Sequence, residues 1–329
     1  MAKPTKGKKP SVATIAQEVR AEKQPWASWE RKVERLNSRD FTTIMQGWLS
    51  HPPTISSPGA PPSEPLESIS TLSDSFHLAG ATGDHTGIFS GARPAVLHQA
   101  FFWAHKAVHA QIACARNLSA GRQTWAVIDA YQSSLFALAS VLAFLGIVEA
   151  RDRSQHITID VWAPCETPRP KSKGILLTPP ENYQLIRWQS LDHFHKWAIL
   201  KRVLRTLKIQ SPLIHQLSNS LEGVNDRELA SHRNKVHYSV EGWLTGDLLH
   251  DDVAGPIRPA ATAEAAFQDI YENSISGTVY LMTALIEVAC MFAQHLHTST
   301  VLTEEIALLE RRKTVAKSFS EFSWQDLYA

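Results

Sequence analysis

Two stretches of this sequence, Ser133 to Val148 and Ile275 to Leu296, are apolar on nearly every side. A helix without a polar face has to be surrounded, so the chain must build an assembly that encloses two such segments. The first falls short of the ~20 residues that a bilayer crossing needs, and the second carries Glu287 at its middle. Both are expected to be buried helices of a soluble, cytoplasmic bundle with no membrane partner.

The flanking pattern is helical. Leu97, Phe101, Ala104, Val108 and Ile112 form an apolar stripe between Pro94 and Asn117, with the proline suited to a first turn. A partner helix is expected from Arg122 to Leu145, stopping at Gly146 just beyond the cap. Joined by a short loop, the two would pair antiparallel. Helical spacing returns over Tyr183–Leu207, Pro212–Val240 and Thr262–His297. Between these blocks the period drops to two. Ile157, Ile159 and Val161 alternate with Thr158 and Asp160, and Ile175 to Leu177 follow a proline-rich turn, which predicts a β-hairpin around 156–178. There is no internal repeat and no βαβ alternation, so a dinucleotide fold is not expected. The expected class is all-α, a helical bundle with a small inserted β-hairpin.

Ahead of the bundle lie Lys3, Lys6, Lys8 and Lys9, interleaved with proline and glycine, and then a stretch with Trp26, Trp29, Val33 and Leu36 on one helical face. Six prolines between Pro52 and Pro65 forbid a continuing helix. The organisation that follows is a basic tail and amphipathic helix over 1–50, a proline-rich linker over 51–66, and the helical domain over 67–329. Gly80, Gly83, Gly87 and Gly91 predict an irregular Leu78–Arg93; no G-K-[ST] ending or preceding strand accompanies them, so a phosphate loop is not expected.

Lysine plus arginine number 33 against 32 acids, which excludes coating nucleic acid by bulk charge; a polyanion site must be local. Cys114, Cys165 and Cys290 form no C-x-x-C pair, against a disulfide scaffold or zinc ribbon and in keeping with a reducing cytosol. No G-x-S-x-G elbow is present. The ten tryptophans fall mostly at helical spacing and read as core. His98, His105 and His109 lie within about 40° on a helix, but no acid on that helix completes a zinc set, so an inter-helix seam is expected. His193 and His195 should point to different sides, and His250-Asp251-Asp252 reads as an acidic turn. Neither a cofactor nor a metal is expected.

The most specific local signal is the run from Asp226 to Tyr238, DRELASHRNKVHY. At ~100° per residue Arg233 and His237 sit about 40° apart, with Asn234 in the same sector. Guanidinium, amide and imidazole suit a phosphodiester. Arginine holds the non-bridging oxygens through two parallel donors, and histidine titrates where a proton must leave a ribose 2′-hydroxyl or reach a departing 5′-oxygen. The 2′,3′-cyclic phosphate is the expected product. From Ile199 to Tyr238 seven Lys or Arg face three acids, a local basic field. Arg227, His232 and Tyr238 are secondary candidates. Arg227 and His232 have four residues between them, with Glu228 following the arginine, and lie about 140° apart on an ideal helix.

The run resembles the signature of the HEPN superfamily, helical bundles with an arginine, often followed by asparagine, and a histidine a few residues on. Here it takes the form Arg233-Asn234-x-x-His237, with three residues between arginine and histidine. Ala126 to Ala137, AVIDAYQSSLFA, is similar to another helix of that superfamily. The resemblance spans about Pro94 to His297. It implies a metal-independent endoribonuclease composed across a homodimer, acting on RNA in a toxin–antitoxin or anti-phage defence setting, with an antitoxin or defence-system partner. It equally admits a non-catalytic member that binds a partner or nucleic acid.

Overall fold

The computed structural model describes residues 33, 36, 39–62, 85–88, 92–152, 155–162, 182–188, 191–229, 262–272, 274–297 and 300–318. Its elements are α1 (Phe41–Leu49), β1 (His85–Ile88), α2 (Ala92–Ser119), α3 (Gln123–Phe144), β2 (Ile147–Asp152), β3 (Gln155–Asp160), β4 (Asn182–Trp188), α4 (His193–Thr206), α5 (Pro212–Gly223), α6 (Ala263–Tyr271), α7 (Ile275–Gln294) and α8 (Thr300–Ser318). The described chain is mostly helical, with a small antiparallel sheet.

The helices begin where side chains can satisfy the orphan amides of a first turn. Asp40, Asp192, Ser211, Thr262 and Ser274 accept from Thr43, His195, Ile214, Ala265 and Gly277 respectively, and Pro212 opens α5. At the end of α3, Leu145 caps the helix and Gly146 follows at φ +82°, as expected of a residue beyond the cap.

The antiparallel pair α2 and α3 forms the central layer, and α7 packs along α3. Ser133 and Ser140 of α3 donate to the carbonyls of Ala107 (2.7 Å) and Ala100 (2.8 Å) on α2. Small residues let the backbones approach, and the hydroxyls close the gap with hydrogen bonds. Both α3 and α7 are long and apolar enough to cross a membrane, and most of each is buried within the fold.

The sheet is larger than a hairpin. Its order is β1-β4-β3-β2, every pairing antiparallel. The expected strand 157–161 is present as β3 and its upper end, but its hairpin partner is β2, from Ile147↔Asp160 to Asp152↔Gln155. Residues 175–177 lie outside the described residues. Tyr183 to Trp188, expected as the start of a helix, is β4, because pairing on both edges outweighs a short ambiguous pattern. β1 likewise interrupts the stretch expected to be irregular.

Three expected helices are interrupted. The helical pattern expected within 1–50 is broken at Arg39 and Asp40, Asp40 capping α1; Trp26 and Trp29 lie outside the described residues. The 212–240 stretch breaks after Gly223, and Asn225 recaps a new turn at 226–229 by accepting the Arg227 N–H at 2.9 Å. The 262–297 stretch divides at Ser274, which caps α7. Helix α8 lies beyond the last expected helix. The stretch expected to be a linker also makes specific contacts, Gly59 and Ala60 bonding to α8 and α2.

Candidate functional site

Of the residues expected to carry chemistry, Arg227 is described; His232, Arg233, Asn234, His237 and Tyr238 lie outside the described residues, as do His250, Asp251 and Asp252. Arg227 is exposed on the turn that Asn225 initiates. Its guanidinium carbon sits 5.5 Å from the centre of the Phe194 ring, in the first turn of α4. This is a cation–π approach that orients the guanidinium without neutralising it.

The same first turn gathers further groups. The Tyr131 hydroxyl of α3 lies 3.3 Å from His193 Nδ1, with ring centres 6.0 Å apart. Asp192 Oδ1 accepts the His195 backbone N–H at 3.2 Å and the ring Nδ1–H at 2.6 Å. Partial burial pushes the Asp192 carboxyl up, but the two hydrogen bonds from His195 and the charges of His195 and His193 outweigh it, and the group stays below the usual carboxylate range. The His195 ring meets Phe194 edge-on at 4.9 Å. One corner thus holds a guanidinium, two imidazoles, a phenol and an exposed carboxylate around a half-buried aromatic ring, a set able to bind a phosphodiester and exchange protons.

The local basic field is weaker than composition suggests. Lys196 pairs with Glu149 at 2.5 Å, Lys201 with Asp226 at 2.7 Å, and Arg205 with Glu222 at 3.1 Å. Lys201 also donates to the Val224 carbonyl at 2.6 Å, tying α4 to the segment that leads into the Arg227 turn.

His193 and His195 have different partners, as their spacing implies. His98, His105 and His109 separate. His98 Nε2 bonds the Ala60 carbonyl (2.9 Å), His105 Nε2 bonds Glu305 Oε2 of α8 (2.8 Å), and His109 is exposed. The first two therefore sit in a seam between elements. Among the described residues no three His, Cys, Asp or Glu side chains are placed to hold a metal. Cys114 and Cys290 are buried thiols, and burial, with a smaller contribution from the charge of Asp129, pushes the Cys114 thiol up, away from reactivity.

Two participants were missed from sequence. Asp192 was detectable, since an aspartate directly before a helical run marks an N-cap. Glu305 was detectable only through α8, whose Leu302, Ile306 and Leu309 recur at helical spacing. Comparison with protein-family models, curated proteins and solved structures finds no match to the chain.

Proposed function

We propose that the protein is a metal-independent endoribonuclease of the HEPN type, working as a homodimer in a toxin or anti-phage defence system. Arg233 clamps the scissile phosphate, His237 exchanges the proton, Asn234 orients one or the other, and Arg227 adds a second guanidinium. The observation that supports this reading is a chain of contacts. Tyr131, from the Ala126–Ala137 stretch, reaches His193, and the adjacent Phe194 carries Arg227 of the Asp226–Tyr238 run. Tyr131 of the first stretch and Arg227, near the start of the second, both reach this corner through α4.

Incubating the purified protein with mixed RNA in EDTA tests the reading. Wild type is expected to leave 2′,3′-cyclic phosphate ends, with Arg233→Ala and His237→Ala slower by about 100-fold or more. Intact RNA, or cleavage unchanged in both variants, overturns it. A second reading, a non-catalytic HEPN-like protein that binds RNA or a partner chain, is favoured by the ion pairs that engage Lys196, Lys201 and Arg205. It predicts binding without cleavage in the same samples.

A further inference from the structure

We infer that a cavity of about 610 Å³, between the start of α1, the connection 207–211 from α4 to α5 and the end of α7, binds a small organic anion, a carboxylate or phosphate carried on a flat apolar body. Its volume is that of sites which enclose a small molecule. The cavity lies past the last turn of α4, whereas the corner described above lies at the first, so this site is independent of the ribonuclease reading.

The walls are fixed by contacts of their own. Lys208 is bridged to the segment that leads into α1, its N–H donating to the Arg39 carbonyl at 2.8 Å and its carbonyl accepting the Phe41 N–H at 3.3 Å. Phe41 packs on Phe292 of α7 with ring centres 4.7 Å apart and meets the His295 ring edge-on at 4.9 Å. His295 Nδ1 lies 2.8 Å from the Met291 carbonyl, which can only accept, so Nδ1 carries the hydrogen and the imidazole is oriented. Phe41, Ile209 and Met291 give the cavity an apolar lining suited to cover a flat ring.

The polar part of the lining consists of donors in need of acceptors. Lys208 Nζ and the Gln210 amide have no hydrogen-bond or ion-pair partner among the described residues, and no carboxylate lines the cavity. Asp40 feels the Lys208 charge, but one of its oxygens accepts the Thr43 N–H at 2.8 Å, and the two side chains form no ion pair. Ser211 is 7% exposed, yet its hydroxyl has only Met291 Sδ to donate to, at 3.8 Å, and the cap bond it accepts from the Ile214 N–H is 3.5 Å long. A thioether is a weak acceptor, and 3.5 Å is at the outer limit of a hydrogen bond, so a nearly buried hydroxyl in the cavity wall is poorly satisfied. An oxyanion supplies Ser211, Gln210 and Lys208 with the acceptor each lacks.

The methionines Met1, Met45, Met282 and Met291 are few enough to give a local readout. The intact chain, with isotope-labelled methionine methyl groups and the Met291 signal assigned through Met291→Leu, is titrated with naphthoate and with adenosine monophosphate. The uncharged counterparts, naphthalenemethanol and adenosine, are run beside them. The Met291 methyl should shift saturably with at least one anion below about 1 mM, while the methyl of Met282, buried in α7, stays in place. Whichever anion saturates first identifies the head group as carboxylate or phosphate. Lys208→Gln, an exposed change, should weaken that anion by about 10-fold or more, and its uncharged counterpart should bind as weakly. Gln210→Trp, also at an exposed position, should fill the cavity and abolish the shift, both variants keeping Tm near wild type. A Met291 signal that neither anion moves overturns the inference. So does a shift that the uncharged counterparts reproduce at equal affinity or that Lys208→Gln leaves unchanged, since the cavity is then an apolar cleft with no preference for an anion.

Discussion

At the scale of single residues, Asp129 shows how the α2–α3 pair balances burial against hydrogen bonding. Asn117 at the end of α2 donates to its carboxylate at 2.8 Å, yet burial between the helices dominates and holds the carboxyl above its usual range. A group whose folded pKa is raised stabilises most when protonated, and that contribution is lost as pH rises through the folded value. At neutral pH the ionised form therefore works against the fold. Asp129→Asn keeps an acceptor for Asn117 without the charge, so its thermal midpoint should exceed wild type at pH 7 and converge with it below about pH 4. An equal or lower midpoint at neutral pH contradicts this account. Legibility at this scale depends on distance along the chain. Gly146 was readable because a glycine directly after an apolar run marks a helix end. What lies against it was not. A Cβ there would come within 2.3 Å of Trp162, and one at Gly47 within 2.5 Å of the same ring. No local pattern encodes a tryptophan clamped between glycines from two separate elements.

At the scale of elements, the proline-rich stretch and α8 depend on one another. Glu305, buried in α8, accepts from the Gly59 N–H and from His105 Nε2, both at 2.8 Å, and His98 bonds the Ala60 carbonyl beside them. Prolines forbid a helix and were read as a linker, but they do not prevent an extended strap from docking by its remaining amides. Removing the carboxylate leaves a buried donor, His105 Nε2, and a half-buried one, the Gly59 N–H, without an acceptor. Glu305→Ala should destabilise the protein by about 2–4 kcal/mol, and a double-mutant cycle with His105→Ala should show coupling of about 1–3 kcal/mol. Denaturant midpoints measure both, and additive effects would mean the two side chains act independently. Helices with long one-sided stripes, such as α2, were legible to within a few residues. Those with an internal recapping residue, Asn225 or Ser274, were read as continuous, since apolar spacing persists across a cap when both pieces pack on the same core.

At the scale of the molecule, the candidate corner exists because α3, the sheet and α4 are held in one arrangement. The sequence offered candidate groups for this corner but not their geometry. Guanidinium and imidazole could be read from Asp226 to Tyr238, whereas the approach of α4 to that run depends on β4 ending just before Asp192, a consequence of strand pairing that local periodicity did not reveal. The arrangement is anchored by Arg39. It is 5% exposed, donates to the carbonyls of Leu36 (3.1 Å) and Leu145 (2.6 Å), and pairs with the fully buried carboxylate of Asp160. Asp160 in turn accepts the Trp162 N–H at 3.0 Å, so one charge pair joins the segment before α1, the end of α3 and the end of β3. An ion pair this buried contributes little net stability compared with apolar residues of similar shape, but breaking it strands a charge. Arg39→Met and Asp160→Leu should each cost about 3–5 kcal/mol, and the double variant less than either alone. If the double variant loses as much as the two single losses combined, the pair does not act as a unit. If it regains stability while the α3–sheet junction exchanges its amides faster, the pair serves to fix the arrangement on which the corner at α4 depends.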